Sequence, residues 1–219
     1  MGGARRIVIA DDHALFRDGM RQLLTRSGEF QVVGEAGDAG ETMHAVRSID
    51  FDVLMLDLSM PGRSGVDLIR QVKAARPALP VLVLTMHAED QYAVRALAAG
   101  ASAYLTKGVR AEVLLQALRR LAAGGRYIGD TVAELLAQQI QPNGERPTHG
   151  SLSDREFQIL HALVEGESVS AIAERLHLSV KTVSTHKANV LRKLNCATLP
   201  DLVRYAIANG IGGSAGGGE

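Results

Sequence analysis

The fold turns on Asp52-Val53-Leu54-Met55-Leu56-Asp57, read with Arg6-Ile7-Val8-Ile9-Ala10-Asp11-Asp12. Each is a short unbroken apolar run that stops on a carboxylate. A strand apolar at every position, rather than at every second one, is covered on both faces, as in a parallel sheet between two helical layers. Working outward, Phe30–Glu35, Val81–Leu84 (stopping at Thr85) and Ala103–Leu105 (stopping near Lys107) read the same way. The segments between them change period. Leu15, Phe16, Met20, Leu23 and Leu24 recur at helical spacing, and helices are predicted over Ala39–Ser48, Val66–Ala75, Tyr92–Ala99 and Ala111–Ala123. Five strands alternating with five helices predict an α/β domain with a doubly wound parallel sheet.

Beyond the fifth helix the pattern changes class. Gly124-Gly125 breaks the alternation, and a helix is expected over 130–140, with Val132, Leu135, Leu136 and Ile140 apolar. The Pro-, Gly- and Asn-containing stretch 141–150 reads as an exposed linker. After it only helical periods occur. Ser153 and Glu156 form a capping box before Phe157, Ile159, Leu160, Leu163 and Val164. A short helix carries Ile172, Ala173 and Leu176, a third runs from Val180 to about Leu194, and a fourth covers about Leu199–Ala208. The expected division is a first domain over 4–123, a linker over 124–150, an all-α four-helix domain over 151–210 and a disordered tail over 211–219.

Composition excludes several classes. Lys+Arg and Asp+Glu are both 24, so bulk charge does not coat nucleic acid. Hydrophobic residues at 46% rule out a disordered chain. Trp is absent and aromatics are 4%, too few for a stacking platform. The single cysteine, Cys196, excludes an internal disulfide and a Cys-based zinc site, and reads as a small apolar residue in a reducing compartment. No apolar run has membrane-spanning length and no signal-peptide core precedes the first strand, so a soluble cytoplasmic protein without membrane contact is expected.

Ligands of such sheets bind beyond the carboxyl ends of the strands. Asp11, Asp12, Asp57, Thr85 and Lys107 all fall there. A strand-ending Asp or Thr is ordinarily a turn cap, but five such residues on one edge are not. Crowded carboxylates repel unless a cation sits among them, and all-oxygen ligation suits Mg²⁺. A carboxylate beside Mg²⁺, with a lysine and a hydroxyl near, can accept a phosphoryl group. Asp57 is then the nucleophile. Asp12 holds the metal, Asp11 acts from behind the direct ligands or through water, Lys107 neutralises phosphoryl oxygens and Thr85 hydrogen-bonds one of them. Lys107 and Thr85 are expected to be exposed strand-end groups. His13 and His87 flank the site and read as loop residues. Gly34-Glu-Ala-Gly-Asp-Ala-Gly40 lacks the spacing of a dinucleotide loop.

Ile-Val-Ile-Ala-Asp-Asp-His from Ile7, Asp-Val-Leu-Met-Leu-Asp-Leu-Ser-Met-Pro-Gly from Asp52, Val-Leu-Thr-Met-His from Val83 and Gly-Ala-Ser-Ala-Tyr-Leu-Thr-Lys from Gly100 resemble the receiver domain of bacterial two-component response regulators. The match covers about 5–122. It implies a flavodoxin-like sheet, Asp57 as phosphoacceptor, Mg²⁺ held by Asp12, Asp57 and the Ser59 backbone carbonyl, and Thr85 with Tyr104 as a switch pair. Many receivers carry Pro, in a cis peptide, where this chain has Gly108.

The window 177–195 holds Lys181, Lys187, Arg192 and Lys193 and no acid. Two helical segments meet there at a turn, His177-Leu178, with the period of a helix–turn–helix. Ile172, Leu176, Val183, Val190 and Leu194 would pack the pair, which leaves Lys181, Ser184, Thr185, Lys187 and Ala188 outward. Leu152–Leu160, Gly166, Ile172-Ala173, Leu176, Ser179, Lys181-Thr182-Val183, His186 and Lys193-Leu194 resemble the LuxR-type helix–turn–helix of NarL/FixJ regulators. That likeness implies base contacts from Ser184, Thr185 and Ala188, phosphate contacts mainly from Lys181, Thr182 and Lys187, and a dimer contact through the last helix.

Together the resemblances imply a DNA-binding transcriptional regulator, not an enzyme beyond its own Mg²⁺-dependent phosphorylation and dephosphorylation. Asp57 would be phosphorylated by a sensor histidine kinase. The partners implied are double-stranded promoter DNA, a second copy of the chain and RNA polymerase. A phosphotransfer enzyme and a regulator indifferent to phosphorylation are the rivals. Mg²⁺-dependent labelling by a small phosphodonor separates the phosphorylation-controlled regulator from the indifferent one.

Overall fold

A computed structural model describes residues 3–60, 65–86, 90–129, 132–133 and 152–211. The chain separates into two compact units, Met1–Gln138 and Gln139–Glu219.

In the first unit, strands β1 (Arg5–Ala10), β2 (Phe30–Ala36), β3 (Val53–Leu56), β4 (Val81–Thr85) and β5 (Ala103–Thr106) form one parallel sheet. The strand order is β2-β1-β3-β4-β5. Helices α1 (Ala14–Ser27), α2 (Ala39–Ser48), α3 (Gly65–Ala75), α4 (Asp90–Ala98) and α5 (Ala111–Ala122) make the crossovers. The unbroken apolar runs are explained by burial: every residue of β3 and β4 is buried, and β1 is buried from Ile7 to Ala10. One layer is the core of Ile7, Ile9, Met55, Leu82 and Leu84 against Leu114, Ala117, Leu118 and Leu121 of α5. Local signals agree with these ends. Asp38 caps α2 by accepting from the Glu41 N–H, and Gly28 closes α1 at φ 69°, a left-handed conformation that glycine adopts without Cβ strain.

The chain does not leave the sheet at Gly124, where the linker was expected to begin. Tyr127 forms a parallel bridge with Ala103, its N–H donating to the Ser102 carbonyl at 3.0 Å, and packs on the core. The bridge covers the open edge of β5, a gain that a Gly-Gly signal cannot announce. Except for Val132 and Ala133, which are helical, the helix expected over 130–140 lies outside the described residues, as does the stretch 141–150.

In the second unit, α6 (Asp154–Val164), α7 (Val169–Arg175), α8 (Val180–Lys193) and α9 (Leu199–Ala208) appear where the periodicity puts them. The Ser153/Glu156 capping box is present, and Thr198 with Asp201 forms a second one. Ser179 caps α8 by accepting from the Thr182 N–H. His177 and Asn195 take positive φ, 50° and 54°, in the turns on either side of α8. Histidine and asparagine are among the side chains that best tolerate that region. Ile211, expected in the disordered tail, is instead fully buried, and its N–H donates to the Ala206 carbonyl at 2.8 Å. Residues 212–219 lie outside the described residues.

Gly65 opens α3 against the segment that follows β3. A Cβ there would stand 2.5 Å from Leu58 Cα and 2.6 Å from the Leu58 carbonyl oxygen, both backbone atoms that cannot swing away. Gly65→Ala therefore destabilises the first unit by about 1–3 kcal/mol, the usual cost of overpacking. Denaturant unfolding followed by circular dichroism measures it. An unchanged midpoint would mean that α3 shifts without cost.

Candidate functional site

Asp11, Asp12, Asp57, Thr85 and Lys107 do converge at the carboxyl edge of the sheet, because β1, β3, β4 and β5 are neighbours in register. The Asp57 N–H donates to the Ala10 carbonyl and the Lys107 N–H to the Thr85 carbonyl, so the ladder itself aligns the residues that carry the charges. The carboxylates of Asp11 and Asp57 are 2% and 1% exposed. Between them lies the Lys107 ammonium, 2.7 Å from Asp11 Oδ2 and 2.7 Å from Asp57 Oδ2. Burial pushes the lysine pKa down, but hydrogen bonds to the two carboxylates outweigh it, and the net direction is upward. The ammonium therefore stays charged.

Backbone donors complete the carboxylates. Asp11 Oδ1 accepts from the His13 N–H at 2.9 Å and Asp57 Oδ1 from the Ser59 N–H at 3.0 Å. Asp12 stands at the rim, with His13 Nδ1 2.9 Å from its Oδ1. One ligand atom from each of Asp11, Asp12, His13 and Asp57 can be chosen so that all lie within 4.8 Å of one another. Three carboxylates against one lysine leave net negative charge in a space of ion-binding size. Its donors are mostly hard oxygens, the set that fits Mg²⁺.

Lys107 and Thr85 are not the exposed strand-end groups that the sequence suggested. Thr85 is fully buried and the Lys107 side chain is 7% exposed. The reason is that β4 and β5 each run one residue further than the apolar pattern does, Thr85 pairing with Thr106. Tyr104 is buried as well. It pairs with Val83, on the same sheet face as Thr85 and one two-residue step behind it. His87 lies outside the described residues.

Phe16 was read only as an apolar helix position. Its ring centroid is 4.5 Å from Lys107 Nζ, so the ammonium has an aromatic face as a partner besides the two carboxylates. No spacing rule marks that role, since any apolar residue keeps the period of α1.

On α8, Val183 and Val190 turn inward with Ile172, Leu176 and Leu194. Lys181, Ser184, Thr185 and Ala188 are exposed, and Thr182 and Lys187 are half-buried. Some polar capacity is already used. The Thr185 hydroxyl donates to the Lys181 carbonyl at 2.9 Å, and Thr182 Oγ1 lies 2.7 Å from Ser179 Oγ. Val180, absent from the sequence-predicted face, is 51% exposed.

Lys193 leaves the basic window. Its Nζ is 2.6 Å from Glu156 Oε2, a carboxylate that also accepts from the Ser153 N–H. The window's cationic surface is thus smaller than its composition. Cys196 is partly buried; burial, with Asp201 nearby, pushes its thiol pKa up and disfavours the thiolate.

With that geometry in place, two family models match the chain: the response regulator receiver domain over residues 7–119, and bacterial regulatory proteins of the luxR family over 150–206. Response regulator UvrY of Escherichia coli K12 is 34% identical over 206 residues, covering 94% of each chain. Response regulator GacA of Pseudomonas aeruginosa is 34% identical over 207 residues, covering 94% of this chain and 97% of its own. Among solved structures, RcsB of Salmonella enterica serovar Typhimurium, bound to a promoter in the presence of the phosphomimetic BeF3⁻, aligns with a TM-score of 0.64 at 30% identity. That alignment covers 93% of this chain and 98% of RcsB.

The Glu156–Lys193 pair sets a pH dependence. Burial alone pushes the Glu156 carboxyl up, but hydrogen bonds from Lys193 and Ser153 hold it below the ordinary carboxylate range. A depressed folded-state pKa gives stability that is present above the unfolded value and is lost as pH falls through the folded one. Lys193→Met should cost the second unit about 1–3 kcal/mol at neutral pH, as an acceptor loses its charged donor. The gap to wild type should narrow as pH falls through the range below the ordinary carboxylate value, where the Glu156 carboxylate protonates. Thermal unfolding across pH measures both; a gap that is constant with pH contradicts the assignment.

Proposed function

This chain belongs to the response regulators that join a receiver domain to a LuxR-family DNA-binding domain, and on that premise we propose that phosphorylation of Asp57 by a sensor histidine kinase controls its binding to promoter DNA. The observation that carries the reading is the buried Asp57 carboxylate held 2.7 Å from the Lys107 ammonium, beside Asp11 and Asp12, at the end of a central strand.

In the transfer, an Asp57 carboxylate oxygen attacks the phosphorus of the donor. The bond from phosphorus to the donor imidazole nitrogen breaks, and its electron pair returns to that ring. Lys107 gives up its contact with the attacking oxygen and takes a phosphoryl oxygen, keeping its charge in the site. The Thr85 hydroxyl donates to a second phosphoryl oxygen. Because Thr85 is buried, its movement opens space on the face it shares with Tyr104, which supports their pairing as a switch. Asp12, Asp57 and the Ser59 carbonyl would hold Mg²⁺, with Asp11 acting through water. When bound, the ion neutralises charge on the phosphoryl oxygens.

In this reading the receiver covers 4–123 and continues to Tyr127, a linker follows, and the DNA-binding domain covers 151–210. Ser184, Thr185 and Ala188 face base edges in the major groove, while Lys181, Thr182 and Lys187 meet phosphates. The chain dimerises through α9 on phosphorylation or on DNA, acts on RNA polymerase and works in the cytoplasm. RcsB bound to promoter DNA is the precedent for the DNA contact. Among the described residues no helix is long and apolar enough to cross a membrane.

Asp57→Asn keeps the shape of the side chain and removes the nucleophile. With acetyl phosphate and Mg²⁺, the wild type gains one phosphoryl group by intact mass and the variant gains none. A full adduct on the variant would sink the assignment of Asp57.

Contact types on α8 separate by salt and sequence. Lys187→Ala should weaken binding to all DNA alike and lower the salt slope by about one per subunit. Ser184→Ala should cost about 1–3 kcal/mol on a site selected from random DNA and little on unselected DNA. Equal losses of Ser184→Ala on both DNAs would place Ser184 on the backbone.

A further inference from the structure

The Lys107 ammonium has two kinds of partner, and only one kind depends on the state of the site. Its contacts to Asp11 and Asp57 are charge pairs at 2.7 Å. In the proposed cycle both are disturbed. A cation drawn to Asp11, Asp12 and Asp57 competes with the ammonium for the same oxygens, and phosphoryl transfer turns one Asp57 oxygen into the bridging oxygen of an acyl phosphate. The third partner is the face of Phe16, 4.5 Å from Nζ to ring centroid. That contact involves no carboxylate and is not consumed by metal or phosphoryl group.

The chemistry of an aromatic face suits the place. A fourth carboxylate would add repulsion among three that are already crowded, and a hydroxyl or amide would bring its own water. The ring attracts a cation through its quadrupole while excluding solvent. Phe16 sits one helical step beyond His13, partly buried, and packs on the core cluster that includes Ile9 and Leu105. Its ring is therefore held by the same sheet that holds Asp11 and Lys107.

We propose that Phe16 is a positioning residue for phosphoryl transfer: its ring face keeps the Lys107 ammonium beside Asp57 while the carboxylate partners of that ammonium are exchanged. Phe16 touches neither donor nor phosphorus and acts only through Lys107. The inference rests on Asp57 being the phosphoacceptor.

The test uses the full chain as wild type, Phe16→Leu and Phe16→Tyr. Leucine keeps apolar bulk without a π face, and tyrosine keeps the face. Phosphoryl uptake from acetyl phosphate at saturating Mg²⁺ is timed by intact mass. In parallel, NMR reads the ring-current displacement of the Lys107 Cε protons, which a packing role of Phe16 elsewhere would not produce. Phe16→Leu should take up phosphoryl about three- to tenfold more slowly and lose the displacement, while Phe16→Tyr stays within about twofold of wild type and keeps it. Uptake by Phe16→Leu at the wild-type rate, or by Phe16→Tyr as slow as by Phe16→Leu, overturns the proposal. Should Phe16→Leu not fold, the wild type and Phe16→Tyr decide: a Lys107 signal without ring-current displacement in wild type overturns it. No uptake by wild type overturns the phosphoacceptor reading itself, an outcome distinct from equal uptake by wild type and Phe16→Leu.

Discussion

A single ammonium between two buried carboxylates is the constraint on which the first unit is arranged. Asp11 and Asp57 are each almost wholly removed from water. Two such charges a few ångströms apart would repel each other and push the loops open. Lys107 makes the arrangement tolerable, and it can do so only from the end of β5, two strands away from β3. The strand order is thus tied to the chemistry. Moving β5 out of line would leave a carboxylate pair without its counter-charge.

The second unit uses the same device for a different end. Glu156, buried at the start of α6, meets Lys193 from the end of α8 and also caps its own helix. Here the pair ties the end of α8 to the start of α6. The face of α8 is then free to carry small polar groups rather than packing residues. In the first unit a buried ion pair lies at the proposed reactive centre; in the second it lies in the scaffold beneath an exposed surface. Burial and pairing alone do not separate the two roles. What separates them is access: Asp12 and His13 leave the first pair a polar rim at the protein surface, whereas Glu156 is already spent on a helix cap.

Much of this was legible because it is written in local rules. The apolar runs from Ile7, Val53 and Val81 gave the covered strands, and the Ser153/Glu156 capping box gave the start of α6. The convergence of Asp11, Asp57 and Lys107 followed from their all lying at strand ends of a parallel sheet. What stayed illegible depends on distance along the chain. Thr85 was placed at the surface because the apolar run stops at Leu84, yet pairing with Thr106 carries the strand one residue further. Lys193 was counted with the cations of its own window, since its partner lies 37 positions earlier. Tyr127 was assigned to a linker because its bridge to Ala103 is a tertiary gain with no local mark.

The burial of Thr85 also changes what the proposed switch has to overcome. A surface hydroxyl can reorient freely, and its movement reports to nothing. A hydroxyl enclosed on the same sheet face as Tyr104 cannot move without leaving a void, and packed interiors tolerate voids poorly. The neighbouring aromatic is the side chain large enough to fill the space. In the proposed switch, a sub-ångström pull on the Thr85 oxygen would become a choice between two packings of Tyr104. That coupling would come from close packing and would need no chain of hydrogen bonds to carry it.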